Sequence, residues 1–307
     1  RIKHDHFLRH PMSEVQALLA RPELFDVVEV HALGDYTELY ATADWLRAEM
    51  RKNGYSKSIW IGDALAISSL VCPQSPRAIL PGAQDADFMT ASPIRPEDAL
   101  RTVRWLEAVQ DGRSPQHEQA LRWWRALQAR DTVRKIAVAM DAGYAGLNFA
   151  WLMDNAPLFQ QPRVTGSWGF QALVDAEYSY ATGRWQATGL RPVFHTYRLA
   201  VEKLRGYSAV ERLHLDASTY GYRFAVGDRP VYVLWHDAGR LYFPGEEEPA
   251  PVPVLLPLEA SQATITHIVT GIGEDQPRTE TVSVEGGQLR LLIGEMPVFV
   301  EPGSARG

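Results

Sequence analysis

A carboxylate follows a short apolar run in the stretch "KSIWIGDA", residues 57–64. The run is typical of a buried strand, and its alternation predicts that Asp63 shares a face with Ile59 and Ile61 and emerges where the strand stops. A carboxylate in that place can act as a nucleophile, stabilise a positive centre, or only cap a helix or order a loop. The stretch alone leaves the catalytic and the structural interpretation of Asp63 both open.

A second run, "FDVVEVHA" (25–32), alternates apolar and polar side chains. The alternation predicts that Val28 and Val30 share one face of a strand, and that Glu29 and His31 share the other. His31 stands at the end of the run, where a site would form. Glu29 comes before that end, which favours a buried polar partner inside a barrel over a site carboxylate.

A third apolar run, "YAGLNFAWLMD" (144–154), predicts a strand that delivers Trp151 and then Asp154. Active sites of βα-barrels lie at the C-terminal ends of the strands. A His, an Asp, and a Trp followed by an Asp at three such ends suit sugar recognition. The C–H faces of a sugar stack on an indole, and a carboxylate stabilises an oxocarbenium-like centre.

The elements that carry these residues alternate over the first 205 residues. We predict helices over 12–20, 36–55, about 96–110, 115–142 and 192–206. Strands between helices indicate right-handed βα units around a parallel sheet. Two irregular stretches, about 65–95 and 155–190, are predicted as loops, and loops of that length are usually functional or disordered.

The last hundred residues change to short alternating strands separated by turn signals. This pattern predicts antiparallel β structure, most economically a small β-sandwich. The change falls near 206–208, so we expect two domains, 1–206 and 207–307. No internal repeat or low-complexity tract interrupts them.

Composition excludes several classes of function. The chain has 307 residues, 46% hydrophobic and 22% charged, with a net charge of −6, so neither nucleic acid nor an anionic membrane is expected as a partner. No apolar run approaches the roughly 20 residues of a membrane span, and we expect a soluble protein. The opening "RIKHDHFLRHP" has neither an initiator Met nor a signal-peptide pattern, so the compartment stays open.

Other reactive side chains have structural interpretations that we prefer. His4, His6 and His10 are spaced to touch a metal, but a solvated loop is the simpler interpretation, and we expect no metal or cofactor. Cys72 has no His partner in its surroundings that would make it a nucleophile. Trp124 and its neighbour Trp123 fall within a long helix and are expected to serve packing.

The order of these motifs resembles the C-terminal half of the clan A retaining glycoside hydrolases, the TIM-barrel class of β-galactosidases, xylosidases and cellulases. "VVEVHALGDY" is similar to the end of their sixth strand, and "KSIWIGD" stands where their seventh strand carries the nucleophile. "AMDAGYAGLNFAWLMD" resembles the approach to their eighth strand. "WGFQALVDAE" with "LRPVFHTYRLAVEKLRG" resembles the phrase before their last helix, and "LRLLIGEMPVFVE" resembles the end of their β-sandwich.

The resemblance implies an α/β fold, the C-terminal part of a (β/α)8 barrel with about three βα units followed by an antiparallel β-sandwich. It implies Asp63 as the nucleophile or oxocarbenium stabiliser. His31 and Tyr36 would hold the sugar or the carboxylate, and Trp151 would be the stacking platform. Carbohydrate contacts are also expected from Asp154 and from Trp168, which serves either as cleft wall or as loop anchor.

Two departures from the family limit what the resemblance implies. The nucleophile position holds Asp63, whose side chain is one carbon shorter than the usual Glu. No Asn-Glu dipeptide, the family's acid/base signature after the fourth strand, occurs in the chain. We therefore expect the missing N-terminal half of the barrel to come from a longer protein or from another chain. A non-catalytic carbohydrate-binding or structural relative, and a sandwich that serves assembly on a βα scaffold, remain alternatives.

Overall fold

The computed structural model describes residues 12–67, 96–149, 151–153, 162, 167–179, 181–216 and 218–303. It is a mixed α/β protein. Contacts within the chain divide it into two compact units, the first comprising 1–124 with 138–190 and the second comprising 125–137 with 191–307. The expected domain boundary near 206–208 stays a prediction.

Five α-helices lie in the described residues, and each matches its prediction to within about a turn. They are α1 (Met12–Leu19), α2 (Glu38–Lys52), α3 (Pro96–Gln110), α4 (His117–Asp141) and α5 (Pro192–Leu204). Gly54, just beyond α2, has a φ of 79°, which is the left-handed conformation that ends helices. Pro192 begins α5, where its missing N–H costs no hydrogen bond. None of the helices described has both the length and the apolar character needed to cross a membrane.

The first unit contains a parallel sheet of three strands in the order β1 (Val27–Ala32), β2 (Ser58–Ala64) and β3 (Gly146–Phe149). The predicted alternation of β1 is confirmed, since Val28 and Val30 are buried and Glu29 and His31 are exposed. The third strand is shorter than predicted and ends at Phe149. Beyond it, Met153 instead bridges to Val174.

Helix α2 and the buried face of this sheet supply much of the apolar core of the first unit. Buried side chains of α2 include Leu39, Leu46 and Met50. The Tyr144 hydroxyl, just before β3, donates to the Leu39 carbonyl at 3.0 Å. The opposite face of β1 and β2 is exposed, although parallel strands are usually covered on both faces.

Residues 174–190 form an antiparallel hairpin of β4 (Val174–Ser179) and β5 (Arg184–Leu190). The prediction of a loop over this stretch is therefore wrong for its last part. The turn closes through the Gly183 N–H, which donates to the Ser179 carbonyl at 2.8 Å. Gly183 has a φ of 65°, a conformation that favours glycine.

The second unit contains antiparallel strands, as the alternation of the last hundred residues predicted. They are β6 (Tyr207–Arg212), β7 (Thr219–Val226), β8 (Arg229–His236), β9 (Val252–Pro257), β10 (Gln262–His267), β11 (Thr279–Ser283), β12 (Gln288–Ile293) and β13 (Val298–Pro302). Six strands pair in the order β11-β10-β13-β8-β7-β6, and β12 pairs with β9. Apolar residues from both sheets form one buried cluster, including Leu234, Ile265 and Val300 from the larger sheet and Leu256 and Leu291 from the smaller.

Candidate functional site

Asp63 and His31 lie side by side at the C-terminal ends of β2 and β1. Their Cα atoms are partners in the parallel pairing, and Asp63 Oδ2 is 3.8 Å from His31 Nδ1. Both side chains are partly exposed. The distance exceeds a normal hydrogen bond, so the contact is an ion-pair contact that exists only when the imidazole is protonated. Two of the predicted site residues are thus brought together.

The face on which Asp63 lies differs from the prediction. Alternation placed Asp63 with Ile59 and Ile61, but the register passes from Val30–Ile61 directly to His31–Asp63 and leaves Gly62 out. This β-bulge shifts the strand by one residue, so Asp63 joins the face that carries His31. Bulges of this kind re-aim side chains and are common next to active sites.

Glu29 approaches the same imidazole from the other side. Its Oε1 is 3.6 Å from His31 Nε2, and its side chain is about half exposed. Glu29 is therefore exposed in the described residues, and its interpretation as a buried polar partner inside a complete barrel stays a prediction. The carboxylate crosses over Gly62, where an added Cβ would stand 2.2 Å from Glu29 Oε1. A carboxylate thus faces each ring nitrogen of His31, with glycine giving the close approach.

This arrangement can orient a carboxylate and balance its charge. Ionised carboxylates only accept hydrogen bonds, and a protonated imidazole donates from both nitrogens. At 3.8 and 3.6 Å, however, the two contacts are longer than hydrogen bonds, so a protonated His31 would attract Asp63 and Glu29 by charge. Among the described residues, no group of three or more His, Cys, Asp or Glu side chains is arranged to hold a metal ion.

An indole that sequence reasoning missed lies on the same face of the sheet. Trp60 pairs in register with Glu29 on one side and Gly146 on the other. Its ring covers Gly146, where an added Cβ would stand 2.9 Å from the ring, and about half of Trp60 is exposed. The alternation of β2 could have predicted this position, because residues two apart in a strand share a face and Trp60 is two residues from Gly62.

Two segments that follow β2 and β3 are held together by one buried amide. The Gln171 side chain accepts from the Ile67 N–H at 3.3 Å and donates to the Ile67 carbonyl at 3.1 Å. It also contacts the buried Ser167 hydroxyl at 3.2 Å. The Trp124 indole, inside the core as predicted, donates to the Phe170 carbonyl at 2.7 Å. These contacts fix the short 3₁₀ turn over Trp168–Phe170.

For the other predicted contact residues, the structure gives at most their burial or a backbone contact. Tyr36 is only 3% exposed and belongs to the core beside α2. Trp151 is partly buried, and its carbonyl accepts from the Leu173 N–H at 3.0 Å. The backbone of Trp168 lies in the 3₁₀ turn, whereas Asp154 lies outside the described residues, as do the predicted His4–His10 loop and Cys72. Their roles stay predictions.

No family model and no curated protein matches the chain. Among solved structures, it is similar to a family 39 glycoside hydrolase from the gut symbiont Bacteroides cellulosilyticus WH2, at 10% identity over 86% of this chain, with a TM-score of 0.45. A family 30 subfamily 8 xylanase from Clostridium acetobutylicum matches at 11% identity over 95% of this chain, with a TM-score of 0.37. A glucosidase from Croceicoccus marinus matches at 9% identity over 98% of this chain, with a TM-score of 0.40.

The chain spans only part of these proteins. It covers 38% of the family 39 enzyme, 73% of the xylanase and 59% of the glucosidase. These structural neighbours are glycoside hydrolases, but identities and TM-scores this low carry no argument for the activity of this chain.

Proposed function

We propose that this chain is the C-terminal part of a glycoside hydrolase of the clan A type, acting on β-linked glycosides with retention of configuration. In this proposal β1 to β3 are the sixth to eighth strands of a (β/α)8 barrel, and β6 to β13 form its β-sandwich. One observation carries the proposal. Asp63 stands at the C-terminal end of a parallel strand, with its carboxylate 3.8 Å from the imidazole of His31 on the next strand.

The proposed chemistry is a double displacement. Asp63 Oδ2 attacks the anomeric carbon, and the bond from that carbon to the leaving-group oxygen breaks as this oxygen takes a proton from a second carboxylic acid. Water, deprotonated by the same second carboxyl group, then attacks the glycosyl ester and frees Asp63. Retaining enzymes place the two carboxyl groups about 5–5.5 Å apart. In the proposal the acid/base lies on the fourth strand, outside this chain.

The open face of the parallel sheet supports the proposal that β1 to β3 are strands of a closed barrel. Val27, Trp60 and Glu29 are exposed on it, whereas the side chains of the opposite face are buried. In a closed barrel such a face is the interior, filled by side chains from the other strands. We propose that the missing strands, from a longer protein or another chain, cover it.

The test uses the full-length protein, the Asp63→Asn and Asp63→Glu variants, and aryl β-glycosides as substrates. Asp63→Asn should lower kcat/KM by at least on the order of 10³-fold because the amide is a poor nucleophile. Asp63→Glu keeps the carboxylate but moves it by about 1 Å, which should cost on the order of a hundredfold. A mechanism-based fluoroglycoside should label the peptide that contains Asp63 in the unmodified protein.

Asp228→Asn serves as the matched control, because Asp228 is an exposed carboxylate in the turn between β7 and β8. This variant should keep full activity and full labelling at Asp63. If Asp63→Asn hydrolyses aryl glycosides as well as the unmodified protein, the nucleophile assignment is wrong. If the unmodified protein neither hydrolyses nor labels, the chain is a non-catalytic relative.

A further inference from the structure

The bulge at Gly62 interrupts the parallel sheet on the β3 side of β2 as well. There the regular pairing stops after Ile61 and resumes at Ala64. Gly62 and Asp63 therefore stand opposite a single residue of β3, Asn148. A bulge disrupts the backbone ladder locally, so the orientation of the peptide groups within it depends on other contacts.

The side chain of Asn148 supplies such a contact. Its Nδ2 donates to the Gly62 carbonyl at 3.1 Å, which is a normal hydrogen-bond length. Asn148 is exposed and lies two residues after Gly146, the register partner of Trp60. Residues two apart in a strand share a face, so Asn148 belongs to the open face of the sheet.

The carbonyl that Asn148 binds belongs to the peptide group that joins Gly62 to Asp63. This group is planar and turns as one unit about its bonds to the two α-carbons. Glycine permits a wide range of such rotations because it has no Cβ. A hydrogen bond to the carbonyl therefore selects one orientation of the peptide group, and with it the direction in which the Asp63 side chain leaves the backbone.

The same peptide group lies beside His31 and Glu29 on the β1 side. Asp63 Oδ2 is 3.8 Å from His31 Nδ1, and an added Cβ at Gly62 would stand 2.2 Å from Glu29 Oε1. The contact with the imidazole is too long for a hydrogen bond and has little directional preference. The bond from Asn148 is directional, so it can set where the carboxylate stands next to the imidazole.

We infer that Asn148 is a positioning residue for the candidate nucleophile. Its amide holds the peptide group between Gly62 and Asp63 so that the Asp63 carboxylate stays beside His31. The role does not require Asn148 to touch a substrate. Its effect on catalysis rests on the proposed function, whereas its effect on the place of the carboxylate is measured without catalysis.

The test compares Asn148→Ala and Asn148→Gln with the unmodified full-length protein. Asn148→Ala removes the donor, and crystal structures should show the Asp63 carboxylate displaced from its place beside His31 by about 0.5–1 Å. On aryl β-glycosides, kcat should fall on the order of tenfold with KM changed by less than about twofold, because a misplaced nucleophile affects the transition state more than substrate binding. Asn148→Gln keeps an amide donor and should recover kcat to within about threefold of the unmodified protein.

Gln186→Ala is the matched control, because Gln186 is also an exposed amide on a strand of the first unit. It should keep the carboxylate position, the kcat and the KM of the unmodified protein. A hydrogen bond that only stabilises the fold would lower the Tm of Asn148→Ala by about 4 °C or less. If the carboxylate and kcat then stay as in the control, the inference is overturned. A fall in kcat that Asn148→Gln does not recover, with the carboxylate unmoved in both variants, also overturns it.

The positioning role and the catalytic proposal fail separately. If the unmodified protein is inactive or Asp63→Asn stays active, the nucleophile assignment falls. The crystal structures then decide the role of Asn148, since a displaced carboxylate in Asn148→Ala supports it and an unmoved one overturns it. If Asp63→Asn is inactive while Asn148→Ala keeps the carboxylate in place and full kcat, the positioning role falls and the catalytic proposal stands.

Discussion

At the scale of residues, Gly62 decides where the Asp63 carboxylate points. The bulge at Gly62 moves Asp63 from the buried face of β2 to the face of His31. The same glycine leaves space for Glu29, whose carboxylate crosses it to reach His31 Nε2. One small residue thus supports both carboxylates beside the imidazole.

Gly62→Ala tests this role. The new Cβ would stand 2.2 Å from Glu29 Oε1, so the Glu29 side chain must leave its place over Gly62. Because that side chain is flexible and half exposed, we expect the free energy of unfolding to change by less than about 1 kcal/mol. We expect kcat/KM on aryl β-glycosides to fall on the order of tenfold as His31 and Asp63 lose their arrangement.

Gly112→Ala provides the comparison, because an added Cβ at Gly112 meets nothing within 4 Å. Its kcat/KM should equal that of the unmodified protein. Equal activity of the two variants would show that the Glu29 position has no bearing on catalysis.

At the scale of elements, a buried charge cluster joins the middle of α4 to two loops of the second unit. Arg134 Nη2 donates to Glu295 Oε2 at 2.8 Å and to the carbonyls of Glu295 and His236 at 2.7 and 3.0 Å. Glu295 Oε1 accepts from the Ala238 N–H at 2.8 Å, and its Oε2 is 3.3 Å from Arg130 Nη1. Burial opposes the charge of Arg130, but the Asp131 and Glu295 carboxylates raise its pKa above the ordinary value.

Removing Glu295 should be costly because it leaves Arg130 and Arg134 buried without that carboxylate. We expect Glu295→Ala to lower the free energy of unfolding by about 3–5 kcal/mol in urea titrations followed by circular dichroism. Glu285→Ala, at an exposed carboxylate in the turn before β12, should change it by less than about 0.5 kcal/mol. Similar values for both variants would mean that the cluster contributes no net stability.

At the scale of the whole molecule, the parallel sheet has one covered and one open face. If further strands of a barrel cover the open face, as proposed, Trp60 becomes a core residue. In the full-length protein, Trp60→Ala should then cost about 3–5 kcal/mol of unfolding free energy. Trp185→Ala removes an indole of similar exposure in this chain, and we expect less than about 1 kcal/mol there. Equal small costs in denaturant titrations would contradict the closed barrel.

The sequence by itself determined the described helices, the first three strands and their chain order, but not the hairpin of β4 and β5. The helices matched because their apolar spacing and end signals are local, and Gly54 and Pro192 act within a few residues of themselves. The alternation of β1 also foretold the face of His31, since a regular strand repeats every two residues. Asp63 was found at its strand end for the same local reason.

Only the tertiary structure decided which side chains meet. The bulge at Gly62 depends on how β2 pairs with β1, and a shift of one residue reverses a face without altering the local pattern. Likewise, residues that were expected to form a loop pair across a turn and form the hairpin that carries Tyr178 and Trp185. Burial of Tyr36 and exposure of Glu29 depend on what packs against each strand, and that is set by residues distant in the sequence.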